Sequence, residues 1–239
     1  PLPEQKKIAE ILSGIGRQST LYQQKIDAVI SEKKALLNSL FRTPFEGNAL
    51  LQELCEEDIC YGVLQYNEAG EATIPVIQIR NLEPLNLTNT KMIPLSLDQK
   101  YSRSRVIAND LLVSVKGSVG KIAVIPKGFS GNISRDIARV RTRTSVVLPH
   151  FLKHWFASDP GCDALSRIEV GTTRAELSIG KMRTLRISYP SLEKQEEICR
   201  IANSLDETLS SLSKQVEKYD LLKQAIGSDL LSGRKRVTI

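Results

Sequence analysis

The sequence predicts an α+β protein: a strand-rich segment, residues 45–189, framed by two long helices, 1–44 and 190–239, that mate as an antiparallel coiled coil. Three observations predict it: a repeat at fixed offset, two seven-residue series inside each copy, and a change of pattern between the copies. Leu2, Gln5, Ile8, Ile11, Lys33, Ala35 and Leu40 recur 190 positions later as Leu192, Gln195, Ile198, Ile201, Lys223, Ala225 and Leu230. Ile26/Val216, Asp27/Glu217, Leu36/Ile226 and Phe41/Leu231 match conservatively without a gap, so the two stretches are duplicated units.

Each copy reads as one long helix. In the first, Ile8, Ile15, Tyr22, Val29 and Leu36 form one series, with Leu12, Ser19, Ile26, Lys33 and Leu40 four positions on. The second repeats this with Ile198, Leu205, Leu212, Tyr219 and Ile226, and with Ala202, Leu209, Val216, Lys223 and Leu230. Paired series of this kind are the seam of a coiled coil. Pro3 and Pro190 suit a first turn, Pro44 stops the first helix and Gly233 is placed to end the second. Lys33 and Lys223 fall in the seam. Two readings of them stand: polar residues that restrict register, or stems that run past the interface into water. A compact middle segment with neighbouring ends would release the helices side by side, as an antiparallel bar about 60 Å long.

The middle segment has another grammar. Short β-branched runs at 73–79, 111–115, 121–125, 137–143 and 185–188 predict strands; 149–158 and a stretch starting near Cys162 predict helices. Residues 50–60 read as a helix or an irregular entry. Composition bounds the rest. With 239 residues, 41% of them hydrophobic, the chain can bury a real core and is no disordered tail. No apolar run reaches the roughly 18 residues that span a bilayer, so no membrane partner is expected. The four cysteines form no CxxC pair and read as reduced thiols. The chain opens on Pro1 without a charged-then-apolar leader, and reads as a trimmed piece of a cytoplasmic product.

Charge is segregated. Residues 45–99 carry nine acids against Arg80 and Lys91, whereas residues 100–143 carry ten bases against Asp110 and Asp136. A concentrated basic block predicts a polyanion-binding face, unless its charges pair with the acidic segment on folding. Inside it, Gly117-Ser118-Val119-Gly120 joins two strand-like runs between Lys116 and Lys121. Hairpin geometry explains the glycines, and so does close approach to a partner. The loop is no Walker A motif, lacking its glycine spacing and GK[ST] ending. Arg139, Arg141 and Arg143 alternate and so share one strand face. Gly171-Thr172-Thr173-Arg174 offers hydroxyls and a guanidinium, groups that bond phosphates and base edges. His150 and His154 have metal-pair spacing but no third ligand, Ser118 has no histidine partner, and Trp155-Phe156 reads as core. Neither catalytic residues nor a metal site are expected.

These residues resemble the specificity subunit of Type I restriction-modification systems. Residues 1–9 (PLPEQKKIA) are similar to the family's central conserved region, and residues 189–198 (YPSLEKQEEI) to its distal copy. Asn109-Asp110-Leu111-Leu112-Val113-Ser114 running into the glycine loop, and Gly171-Thr172-Thr173 followed by Leu177-Ser178, are similar to the target-recognition domain. Full-length members carry two such domains; this chain carries one. The resemblance implies a sequence-specific DNA-binding subunit without chemistry or cofactor of its own. It would read half of a bipartite double-stranded site and dock adenine methyltransferase (modification) subunits and a restriction subunit. It also implies pairing, as a homodimer or with a second half-subunit, because one domain reads too few bases for useful selectivity. Candidate DNA contacts are Lys116, Ser118, Lys121, Arg135, Thr172, Thr173 and Arg174, then Arg80, Asn81, Arg103 and Arg105. The competing reading is a coiled-coil adaptor whose middle domain binds protein.

Overall fold

The computed structural model describes residues 2–66, 69–171 and 175–237, arranged as two compact units. One comprises residues 1–36 and 201–239; the other comprises residues 37–200.

Helices α1 (Leu2–Phe41) and α6 (Leu192–Leu231) are each 40 residues long, and both ends of the second lie 190 positions after those of the first. The duplicated sequence therefore folds into duplicated helices. Within the first unit, partners descend in the second stretch as they ascend along α1, which makes the helix pair antiparallel. Glu4 meets Arg236, five residues past the end of α6, at 2.9 Å, the Ser19 hydroxyl donates to Asp220 at 2.7 Å, and Tyr22 stacks on Tyr219 with ring centroids 5.5 Å apart. Lys33 pairs with Asp206. All ten predicted seam positions of α1 are buried or half-buried, and so are those of α6 except Lys223. The two seam lysines thus divide the two readings between them. Lys33 is half-buried against a carboxylate, whereas Lys223 is exposed, its ammonium beside the backbone of Gly16.

The second unit is built on long-range strand pairing. Its elements, in order, are β1 (Gly47–Leu50), β2 (Cys60–Tyr61), β3 (Ala72–Ile77), β4 (Lys91–Pro94), α2 (Leu95–Lys100), β5 (Leu111–Ser114), β6 (Ile122–Val124), β7 (Asn132–Ile133) and β8 (Ile137–Val140). There follow α3 (Pro149–Phe156), α4 (Asp159–Ile168), β9 (Glu169–Val170), β10 (Glu176–Leu177), α5 (Ile179–Arg183) and β11 (Arg186–Tyr189). One sheet has the order β2-β8-β5-β6, a second the order β4-β3-β7, with β3 and β7 parallel. Strand β5 is buried on both faces, which is why its sequence, LLVS, runs apolar rather than alternating. Ile77, Leu112, Ile125, Ile133 and Ile137 meet in one core cluster. β1 pairs antiparallel with β11, Gly47 opposite Tyr189, so the ends of the sheet-bearing segment are clasped together.

Where α6 begins, the buried Gln195 is used completely. Its amide donates to the carbonyls of Val146 and Pro190 at 2.9 Å each and accepts from the Leu148 amide at 2.8 Å. Pro149 then opens α3. Trp155 and Phe156 are core residues in edge-to-face contact. His154 is buried, and half-buried His150 is held below its ordinary pKa by burial and by Lys153. Among the described residues no cluster of three or more His, Cys, Asp or Glu could hold a metal, and no helix is long and apolar enough to cross a membrane.

All four cysteines are free thiols. Burial pushes Cys55 up to about 12 and Cys199 up to about 11; Cys60 is buried and Cys162 is exposed. Reagent attack requires thiolate and access. We expect Cys162 alone to label rapidly with a maleimide at neutral pH, and all four after denaturation, as read by mass spectrometry. Rapid native labelling at Cys55 would contradict the packing described.

Candidate nucleic-acid interface

The glycine loop is a hairpin between β5 and β6, organised from inside by Ser114. Its buried hydroxyl donates to the Ser118 carbonyl at 2.6 Å and accepts from the Lys121 amide at 2.8 Å. Ser114 also holds the ladder, its amide donating to Lys121 and its carbonyl accepting from Gly120. Gly117 and Gly120 have φ of +71° and +83°, conformations that favour glycine. A side chain at either would meet nothing closer than 3.9 Å, so turn geometry, rather than crowding within the protein, demands them.

Several predicted contacts gather here. Ser118 is exposed, and Lys116 and Lys121 are half-buried. Lys116 lies 2.9 Å from Glu176 and 5.7 Å from the centre of the Tyr61 ring. Val115 bonds the Asp136 carbonyl, which brings up exposed Arg135, itself 3.5 Å from the Asp136 carboxylate. Ile79 reaches within van der Waals range of the Cβ position at Gly117, and the Glu83 carboxylate accepts from the Ile122 amide, so the turn bearing exposed Arg80 borders the hairpin. Arg103 is exposed elsewhere, one residue before buried Ser104. Thr172, Thr173 and Arg174 lie outside the described residues.

Other candidates are committed to the fold. Asn81 is buried, and its amide accepts from Gln78 N–H while donating to the Asn86 and Asn89 carbonyls. It organises a turn and has no donor left for a base edge, which corrects its place among the contacts. Arg105 keeps part of its surface but bonds the buried carboxylate of Asp98 through Nε at 2.6 Å. Arg139 and Arg141 point inward as well. Glu57 bonds both; Asp110 accepts from Arg141 Nε and Nη2 at 2.8 Å each and from the Ile107 amide at 2.8 Å. Hydrogen bonding from Arg139, then the charges of both arginines, hold the Glu57 carboxyl below its ordinary range. Sequence reasoning passed over Ser114, Tyr61 and Glu176. Only Ser114, a hydroxyl just before a glycine hairpin, carried a local signal.

A model of the family described as "Type I restriction modification DNA specificity domain" matches residues 52–219, a span that contains the hairpin, the arginine cluster and more than half of α6. The chain belongs to this family. Among specificity-subunit relatives, the Escherichia coli EcoBI specificity subunit is 28% identical over 163 residues, covering 67% of this chain and 34% of its own length. A putative MjaX specificity subunit from Methanocaldococcus jannaschii is 24% identical over 263 residues, covering 99% and 58%. In structure, the chain resembles the HsdS subunit from Thermoanaerobacter tengcongensis, with a TM-score of 0.60 at 18% identity over 96% of this chain and 58% of that one. The Type I S subunit from M. genitalium gives 0.58 at 15% identity over 95% and 60%. These specificity-subunit structures share the fold, and the chain spans between a third and three fifths of the length of the relatives named.

Proposed function

We propose that the unit of residues 37–200 reads one half of an interrupted duplex-DNA site, and that the helix pair sets spacing and docks partner subunits. Those partners, adenine methyltransferase and restriction subunits, would carry the chemistry in the cytoplasm, with this chain supplying recognition alone. The observation that carries this reading is the family match across the hairpin on which Lys116, Ser118 and Lys121 converge. Phosphate contacts position a protein on DNA and base contacts specify sequence. We assign Lys116, Lys121, Arg135 and Arg80 to phosphates, Arg103 to a more distant backbone contact, and Ser118, with Thr172, Thr173 and Arg174, to base edges.

The repeat supports pairing with a second recognition unit. Gln195 and Ile198 are buried at the start of α6, while their equivalents Gln5 and Ile8 are exposed and half-buried at the start of α1. The same residues, with one copy less covered, fit a second globule, whether in a partner copy, in a half-subunit or in a chain longer than the given sequence.

Titrating the full chain against random-sequence duplex across a salt series tests the reading. A DNA-binding subunit loses affinity steeply as salt rises. Lys116→Ala should weaken binding to every duplex by up to roughly tenfold at low salt and flatten the log–log salt slope by up to about 0.9, the limit for one phosphate contact. Equal slopes would remove Lys116 from the phosphate contacts, and an absence of salt-dependent binding by the wild-type chain would favour the protein-binding adaptor.

A further inference from the structure

We infer that Glu176 is a positioning residue that occupies Lys116 in the free protein and competes with DNA phosphate for it, so that the chain carries its own attenuator of sequence-blind binding. The inference rests on the DNA reading above.

Three features set this ion pair apart from an incidental surface contact. The backbone holds it: Lys116 and Glu176 face each other across an antiparallel bridge, and the next residue, Leu177, donates to the Val115 carbonyl at 2.8 Å. Cross-strand partners start a few ångströms apart, so little side-chain freedom is lost when the pair forms. Solvent is partly excluded, since the two side chains are 34% and 39% exposed. The Tyr61 ring lies 5.7 Å from the ammonium and narrows the directions from which another anion can arrive. At the shoulder of a hairpin otherwise flanked by Lys121 and Arg135, Glu176 is a carboxylate set where a phosphate would sit. A phosphate reaching Lys116 must displace that carboxylate or share the ammonium with it, and like charges at that separation repel. The penalty depends on phosphate alone, so it acts equally on every sequence.

Glu176→Gln keeps the shape and removes the charge. In salt titrations of the full chain, it should tighten binding to random-sequence duplex roughly threefold to tenfold at low salt and steepen the slope by up to about 0.9. A duplex selected from a random pool by the wild-type chain should gain by the same factor. The gain should vanish in Lys116→Ala/Glu176→Gln, because the two residues act through one interaction. Glu207→Gln, an exposed carboxylate on α6, controls for net charge and should gain much less. Unchanged affinity and slope in Glu176→Gln, an equal gain in Glu207→Gln, or a gain that survives removal of Lys116 would each overturn the inference while leaving the DNA reading intact. Loss of affinity confined to the selected duplex would also overturn it, marking Glu176 as a base-reading residue. A wild-type chain that binds no duplex overturns the DNA reading, and this inference with it.

Discussion

Asp110→Ala is expected to cost about 3–5 kcal/mol of folding stability, the usual penalty for removing one partner of a buried ion pair. The carboxylate is buried and accepts three hydrogen bonds, two from the Arg141 guanidinium and one from the Ile107 amide. Its removal leaves the inner edge of a cation facing a low-dielectric core, and Arg141 also carries the Glu57 contact and a bond to the Arg105 carbonyl. Neighbouring Arg139 is more deeply buried, so the cluster has little access to water in compensation. Glu57→Gln should cost less than Asp110→Ala, because Glu57 is nearly half exposed and glutamine keeps an oxygen that can accept from buried Arg139. Denaturant titrations of both variants check the contrast; a shift below about 1 kcal/mol for Asp110→Ala would refute it. Acid should weaken the same cluster. The folded Glu57 carboxyl titrates below its unfolded value, so its contribution is present above the ordinary glutamate range, near 4.3, and is lost as pH falls through the lowered value.

Gly62→Ala should be worse still, at more than about 4 kcal/mol, in the range where marginal domains fail to accumulate folded. A Cβ at this position would lie 1.8 Å from the Ile133 carbonyl oxygen and 2.4 Å from its carbon. The obstacle is backbone, and that backbone is committed: the same oxygen accepts from Val63 N–H at 2.8 Å, and Arg135 N–H returns the bond to Val63. Here the chain passes from β2, in the four-stranded sheet, to a parallel bridge beside β7, in the three-stranded one. Any shift that relieved the clash would pull the two sheets apart. Gly128→Ala is the comparison. Its φ of +86° strains alanine by about 1–2 kcal/mol, but nothing lies within 4 Å of the added methyl. Similar thermal midpoints for the two variants would contradict the close approach at Gly62.

The helices were legible because their signal is local and doubled. Seam residues recur every three or four positions, and the offset of 190 fixes both copies in one register, so Tyr22 and Tyr219 could be placed in the seam before their stacking was visible. Lys223 escaped because burial there depends on what the partner helix offers, and Gly16 offers no side chain. In the middle segment, β5, β6 and β8 announced themselves through β-branched runs. The two-residue strands β2, β7, β9 and β10 did not, since their pairing is set by distant neighbours and no periodicity fits in two residues. Charge was half legible. The basic block is real, yet folding sends Arg139 and Arg141 to Glu57 and Asp110, sends Arg105 to Asp98, and leaves Lys116, Lys121 and Arg135 near the hairpin. Alternation along the chain set Arg139 and Arg141 apart as candidates for pairing with the acidic segment, but which carboxylates they reach is decided by the fold. Glu176 illustrates the same limit, being sixty residues from the lysine it neutralises.

The clasp between β1 and β11 brings the two ends of the middle segment to one place. Gly47 and Tyr189 lie one strand spacing apart, about 5 Å, although more than a hundred residues separate them along the chain. A segment that begins and finishes at one doorway can change its length without moving either end, provided that it keeps a carbonyl and an amide for Gln195, which reaches back to Val146 and Leu148 from beyond the clasp.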